Sequence, residues 1–217
     1  MGRYKLVVFD WEGTIAENGL GYVIIALTNA AERMHLPKLD IQKAHQVVAL
    51  GLVEAVRQLF PSLSLYQQEE LCKEAQKMLM EASATVQLMP GVKDLIVWLF
   101  EAGVHMAIAM NKSAQGLARV MRLSSLDDYI LITRTATESP PKPCPQMLEE
   151  IMQYFALTAE DTLMIGDSSS DMEMAAALNV EAIGMDFFQT EEQTLRMAGA
   201  RHVFQNYQQV FAYIKDN

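Results

Sequence analysis

Short apolar runs alternate with helix-length stretches along most of this chain, and that rhythm narrows the folds open to it more than any other feature. Lys5–Asp10, His105–Met110, Tyr129–Thr133 and Thr162–Gly166 have the length and aliphatic content of strands covered on both faces, and Val180–Gly184 reads as a fifth. Between them, Val92–Glu101 (after Pro90-Gly91), Ala114–Arg122, Pro145–Phe155 and Met172–Leu178 carry helical patterns. Such alternation predicts an α/β fold, a Rossmann-like, doubly wound parallel sheet. A short strand at His202–Phe204 and packing helices complete the C-terminal segment.

Residues 15–88 break the rhythm. Leu20, Val23, Ile24, Leu27, Ala31 and Met34 recur at helical spacing, Asp40 has the character of an N-cap, and Leu71, Ala75, Met78 and Leu79 form a second stripe. The expected organisation is a core of residues 1–14 and 89–217 interrupted by an all-helical insertion, 15–88, of about four helices broken near Gly51 and Pro61. Ligands of open α/β sheets bind beyond the carboxyl ends of the strands. An insertion leaving just after the first strand is therefore expected to act as a cap.

With 217 residues, half of them hydrophobic and a fifth charged, the chain has enough apolar surface for a sizeable core plus a smaller insertion. Its net charge of −10 argues against the broad basic surface that nucleic acid or anionic lipid requires. A local metal ion, a lysine and backbone amides still suffice to bind a phosphate ester. The two cysteines, Cys72 and Cys144, lie far apart without CxxC spacing, which points to a reducing, cytoplasmic setting. No run reaches the roughly 20 apolar residues of a membrane span. The fifteen methionines mostly occupy apolar helix positions as core filling.

Four places carry chemistry. The first strand ends LVVFDWEGT, with Asp10 and Glu12 two residues apart, an arrangement that is costly unless a cation or a reaction employs it. The strand at Leu163 ends IGDSSSD, placing Asp167 at its terminus and Asp171 one helical turn later. Oxygen-rich clusters of this kind favour magnesium. In PPKPCPQ, Pro141 and Pro143 stiffen the backbone around Lys142. In AIAMNKS, Asn111, Lys112 and Ser113 lead into a helix whose first amides suit an anion, although Ser113 reads equally well as an N-cap. His35, His45, His105 and His202 have no metal-ligand spacing and read as structural or solvated, and His45, in the insertion, is the one placed to touch substrate.

In this order the motifs resemble those of the haloacid dehalogenase superfamily. Asp10–Thr14 is similar to its DxDGT, Met110–Ser113 to its strand-end Ser/Thr motif, Lys142 to its lysine and Gly166–Asp171 to its GDxxxD. The insertion resembles the cap of the subgroup containing phosphoglycolate phosphatase and β-phosphoglucomutase. TRTATESPPKPCPQMLEEI and LALGLVEAVRQLFP are similar to bacterial phosphoglycolate-phosphatase-like members.

The resemblance implies a magnesium-dependent phosphomonoester hydrolase acting on a small phosphorylated metabolite, with no nucleic acid or membrane partner, as a monomer or homodimer. Asp10 would attack phosphorus to form an aspartyl-phosphate, with Glu12 as acid and base and Lys142 neutralising charge. Thr14, Asn111 and Lys142 would bind substrate. Mg2+ would be held by Asp10, the Glu12 backbone carbonyl and Asp167, supported by Asp171. Three departures stand out: Glu12 replaces an aspartate, Met110 replaces a hydroxyl donor, and Glu17-Asn18 replaces Asp-Ser. They point to slow turnover or an unusual substrate, or to a phosphate-binding protein with little hydrolysis.

Overall fold

In the computed structural model, which describes residues 2–17, 19–48, 51–82 and 86–217, the chain divides into two compact units: residues 1–16 with 88–217, and residues 17–87. The first unit is built on a six-stranded, all-parallel sheet: β1 (Leu6–Phe9), β2 (His105–Met110), β3 (Ile132–Thr135), β4 (Thr162–Gly166), β5 (Glu181–Met185) and β6 (His202–Phe204). Its helices are α5 (Val92–Glu101), α6 (Ala114–Ser124), α7 (Gln146–Phe155), α8 (Ser169–Ala177), α9 (Glu192–Met197) and α10 (Tyr207–Asp216). Every residue of β1 and β4 is buried, as unbroken apolar runs require of strands covered on both faces.

The strand order, β3-β2-β1-β4-β5-β6, determines where a ligand can sit. From β1 the chain winds outward through β2 and β3, then crosses back to β4 and winds the other way. The crevice between β1 and β4 is thus the topological switch point, where doubly wound sheets bind their ligands. Register brings the two strands level there: Phe9 pairs with Ile165, and the Asp10 N–H donates to the Ile165 carbonyl at 2.9 Å. Asp10 and Asp167 consequently leave the sheet side by side.

One strand differs from expectation. The apolar run Tyr129–Thr133 does not become β3, which starts at Ile132. α6 ends in a left-handed Ser125, and the Leu126 carbonyl then accepts from both Tyr129 and Ile130 N–H groups. The start of the run is spent on a turn whose Ile130 is buried, while Leu131 is exposed. β5 is displaced by one residue, and α8 begins earlier than the apolar pattern suggests because Ser168 and Asp171 form a capping box.

The junctions also shift. Ala16 bridges Leu88, and the Met89 N–H donates to the Ile15 carbonyl at 2.9 Å. The outgoing and returning segments thereby pair within the sheet unit, so Ile15, Ala16 and Leu88 belong to it.

The second unit holds α1 (Gly19–Arg33), α2 (Ile41–Val47), α3 (Leu52–Leu59) and α4 (Leu65–Ala82). α1 and α4 pack together with a core of their own that includes Leu27, Ala31, Val56, Leu71 and Ala75. Asp40 caps α2 by accepting from the Lys43 N–H at 3.1 Å. The side chains of Leu20 and His45, read from sequence as stripe and substrate-contact residues, lie outside the described residues. Of the other histidines, His105 stacks on Phe155 and His202 on Phe204, while His35 takes a left-handed conformation after α1. Cys72 and Cys144 are free thiols. No helix among the described residues is long and apolar enough to cross a membrane.

Candidate active site

The loops leaving β1 and β4, the first turn of α8 and the segment before α7 bring four charged groups together. Carboxylate oxygens of Asp10, Asp167 and Asp171 lie within 4.8 Å of one another. Lys142 enters from the Pro141–Pro143 segment, and its ammonium donates to Asp10 Oδ1 at 2.5 Å, Asp171 Oδ1 at 2.7 Å and the Ala109 carbonyl at 3.0 Å. These three bonds use all three donors of the ammonium. Asp10 and Lys142 are each 6% exposed and Asp171 is fully buried. Charges so deeply buried persist only when paired and hydrogen-bonded.

Three carboxylates against one lysine leave the cluster with excess negative charge. Burial pushes the Asp10 carboxyl up to about 7, helped by the charge of Asp171 and opposed by Lys142. Asp167 is pushed up to about 8 by burial, then by Asp10 and Asp171. For Lys142, burial favours the neutral amine, but Asp10 and Asp171 together outweigh it and hold the group above its ordinary value. Carboxylates raised in this way suit a site completed by a cation.

The backbone is shaped to bring these groups close. Gly13 sits at φ 75°, and a Cβ there would fall 1.8 Å from Asp167 Oδ2. At Gly166 a Cβ would lie 2.4 Å from Asp171 Cγ. Both glycines are therefore required by close approach. All donors in the cluster are hard carboxylate oxygens, and the residues fit magnesium. Asp171 is already engaged by Lys142 through Oδ1 and by the Ser168 N–H and hydroxyl through Oδ2, at 3.1 and 2.6 Å. It positions Lys142 and the start of α8, leaving Asp10 and Asp167 as the more available ligands.

Asn111 lies at the end of β2 with its side-chain amide clamped to the backbone of Lys142. Its Oδ1 accepts from the Lys142 N–H at 2.7 Å, and its Nδ2 donates to the Lys142 carbonyl at 3.1 Å. Ser113 caps α6, accepting from the Gly116 N–H at 3.2 Å. Met110 is buried, and its carbonyl accepts from the Ala136 N–H at 3.1 Å.

Glu12 points elsewhere. Its carboxylate accepts from the Lys112 ammonium, and its side chain is not part of the aspartate cluster. Any contribution of Glu12 to a metal would come from its backbone carbonyl. Thr14, read from sequence as a substrate contact, is fully buried, and its Oγ1 has no hydrogen-bond partner among the described residues. Its hydroxyl is closed to a ligand in this conformation.

Two further residues escaped the sequence reading. Tyr207, at the start of α10, is buried and donates its hydroxyl to the Thr14 carbonyl at 2.8 Å, pinning the loop that follows Asp10. Burial, then the charges of Asp167 and Asp10, hold its phenol well above the ordinary value. Asp186, after β5, is buried and accepts from the Thr190 and Glu191 N–H groups at 3.0 Å each, fixing its loop. No local motif marks either residue.

A parallel sheet whose switch point gathers three aspartates around a buried lysine has the layout of an aspartate-centred hydrolase on a Rossmann-like core. The chain belongs to the haloacid dehalogenase-like hydrolase family, whose profile matches residues 7–185. It is 26% identical over 190 residues to phosphoglycolate phosphatase of Nitrosococcus oceani, covering 84% of each chain. It is 29% identical over 194 residues to phosphoglycolate phosphatase 1 of Pseudomonas aeruginosa, covering 84% of this chain and 70% of that one. Among solved structures, a subfamily IA hydrolase from Geobacter sulfurreducens superposes with a TM-score of 0.62 at 21% identity, covering 98% of this chain and 97% of that one. A haloacid dehalogenase-like protein from Agrobacterium tumefaciens gives 0.68 at 19% identity, covering 98% of each chain. The structural likenesses establish the shared fold.

Proposed function

We propose that this chain is a magnesium-dependent phosphatase that hydrolyses a small phosphorylated metabolite through an aspartyl-phosphate on Asp10. The observation that carries the reading is the buried cluster itself: Asp10 at the end of the central strand, bonded to Lys142 and beside Asp167. The names of the relatives add support for phosphomonoester chemistry on a small organic acid.

Asp10 and Asp167, with the Glu12 carbonyl, would hold the magnesium. When bound, the ion would offset the repulsion between carboxylate and phosphate and polarise the phosphoryl group. Asp10 then attacks phosphorus as the ester oxygen departs with its electron pair, and water afterwards cleaves the acyl phosphate. Lys142, held by Asp171 and Asn111, keeps Asp10 oriented and balances charge as the phosphoryl group moves. Glu12, once released from Lys112 and turned toward Asp10, would donate the proton to the leaving oxygen and later take one from water.

Two observations favour a second reading, a phosphate-binding protein with little turnover: Glu12 is tied to Lys112, and Met110 offers no hydroxyl at the strand end. Phosphate release from a panel of phosphomonoesters, measured with magnesium and with EDTA, separates the two. Magnesium-dependent release from at least one ester is the expected result; binding without release selects the second reading.

A further inference from the structure

We propose that Glu150 is a positioning residue for Lys142, acting through Ser139 to hold the loop that carries the lysine into the aspartate cluster. Its effect on rate rests on the phosphatase reading above; its effect on the placement of Lys142 does not.

Lys142 lies in the segment between β3, which ends at Thr135, and α7, which starts at Gln146. Glu150, on the second turn of α7, reaches back to that segment and to β3 at once. Its Oε2 accepts from the Ser139 hydroxyl at 2.9 Å and from Arg134 Nε at 2.8 Å, and its Oε1 accepts from Gln146 Nε2 at 2.8 Å. The Gln146 and Ser139 bonds, joined by Arg134, hold the Glu150 carboxyl below its ordinary value. It is therefore an ionised acceptor at neutral pH, and its bonds are charge-assisted. Ser139 is 6% exposed, so water is a poor replacement for Glu150 as the partner of its hydroxyl.

Only Pro140 and Pro141 separate Ser139 from Lys142. Each proline fixes its own φ and confines the residue before it to extended backbone. The link from Ser139 to Lys142 is thus a stiff strut of at most about 11 Å. A shift at its anchored end is passed on to the lysine. The Ser139 and Glu138 N–H groups both donate to the Thr135 carbonyl, at 3.0 and 2.9 Å, which closes a turn at that end. The Glu150 bond seats the turn against α7. Taken alone, the Arg134–Glu150 pair, with side chains 27% and 31% exposed, would matter little. The buried bond to Ser139 is what gives Glu150 a route to Lys142.

Trace labelling with acetic anhydride, read lysine by lysine by mass spectrometry, tests the proposal without an activity assay. In the native chain Lys142, with a side chain 3% exposed, should label far more slowly than Lys5 and Lys73, at 61% and 70%. Glu150→Ala should raise Lys142 labelling by about tenfold, the scale of one lost hydrogen bond to a charged group, and leave Lys5 and Lys73 unchanged. Ser139→Ala should do the same, and the double variant no more than either, because both remove one link. Glu150→Gln should retain slow labelling, since its amide oxygen still accepts from Ser139 and Arg134. In steady-state assays Glu150→Ala should lower kcat by about tenfold with a smaller change in KM. Unchanged Lys142 labelling in Glu150→Ala, a rise shared by Lys5 and Lys73, a silent Ser139→Ala, or an unchanged kcat in an active protein overturns the proposal. Absence of turnover in the native protein would sink the phosphatase reading and leave the labelling comparison standing, so the two failures are distinguishable.

Discussion

Asn111 holds Lys142 by the main chain, accepting from its N–H at 2.7 Å and donating to its carbonyl at 3.1 Å. The lysine is therefore fixed at both ends, by Asn111 at its backbone and by Asp10 and Asp171 at its ammonium. A misplacement of about 1 Å at a reacting centre can lower rates roughly 100-fold. Asn111→Ala should accordingly lower kcat by about 10- to 100-fold with a smaller change in KM, in steady-state assays of phosphate release. An unchanged kcat would show that the prolines alone hold Lys142.

The raised carboxyls of Asp10 and Asp167 predict how stability depends on pH. Unfolded, both titrate near about 3.9; folded without metal, Asp10 is pushed up to about 7 and Asp167 to about 8. Between those limits the folded state binds more protons than the unfolded one, so stability falls as pH rises. The contribution is complete below pH ~4 and lost as pH climbs through about 7 to 8. Magnesium binds the ionised carboxylates and should reverse the trend. Melting temperatures from pH 5 to 9 should show a magnesium-induced increase that widens with pH; a constant increase would contradict the account.

Gly13→Ala should remove metal binding before it removes the fold. The new methyl would collide with Asp167 Oδ2, and φ 75° is unfavourable to any side chain. Calorimetric titration with magnesium should show affinity reduced by at least about tenfold, as expected when a ligand's support is disturbed. Retained affinity would mean that Asp167 is not needed for the ion.

Tyr207→Phe leaves the Thr14 carbonyl without its buried donor, which typically costs about 1–3 kcal/mol. The melting temperature should fall, and kcat should fall as well, because the loop between Asp10 and Thr14 loses its anchor. A variant as stable and as active as the native chain would show that the loop is held by Gly13 and Ala16 alone.

Much of the frame was legible in the chain's rhythm. β1 and β4 are fully buried, so they appear as continuous apolar runs, and an acidic residue at the end of each is conspicuous. Lys142 was marked by its flanking prolines, and Asp171 by its spacing from Asp167. β3 was misplaced because it is an edge strand: Ile130 fills the core from a turn, Leu131 is exposed, and the alternation blurs. Asp171 carries two tasks at once, capping α8 and bonding Lys142, which spacing alone does not separate.

The rest depends on pairings remote in sequence. Tyr207 meets Thr14 across 193 positions, and Lys112 meets Glu12 across 100. Neither leaves a periodic or compositional trace, because each is a consequence of strand order. Thr14 and Asn111 were recognised as members of motifs, yet their side chains serve the architecture, one buried in the loop and the other clamping a backbone.

Asp10 is the centre of the account, and its substitution is the most direct measurement. Asp10→Asn keeps the size of the side chain and removes the nucleophile while sparing the Lys142, Asp167 and Asp171 side chains. In an assay of magnesium-dependent phosphate release, the native chain should turn over and the variant should fall by at least about 10³-fold, the scale seen when a covalent nucleophile is lost. Release that persists in Asp10→Asn at the native rate would contradict an aspartyl-phosphate on this residue.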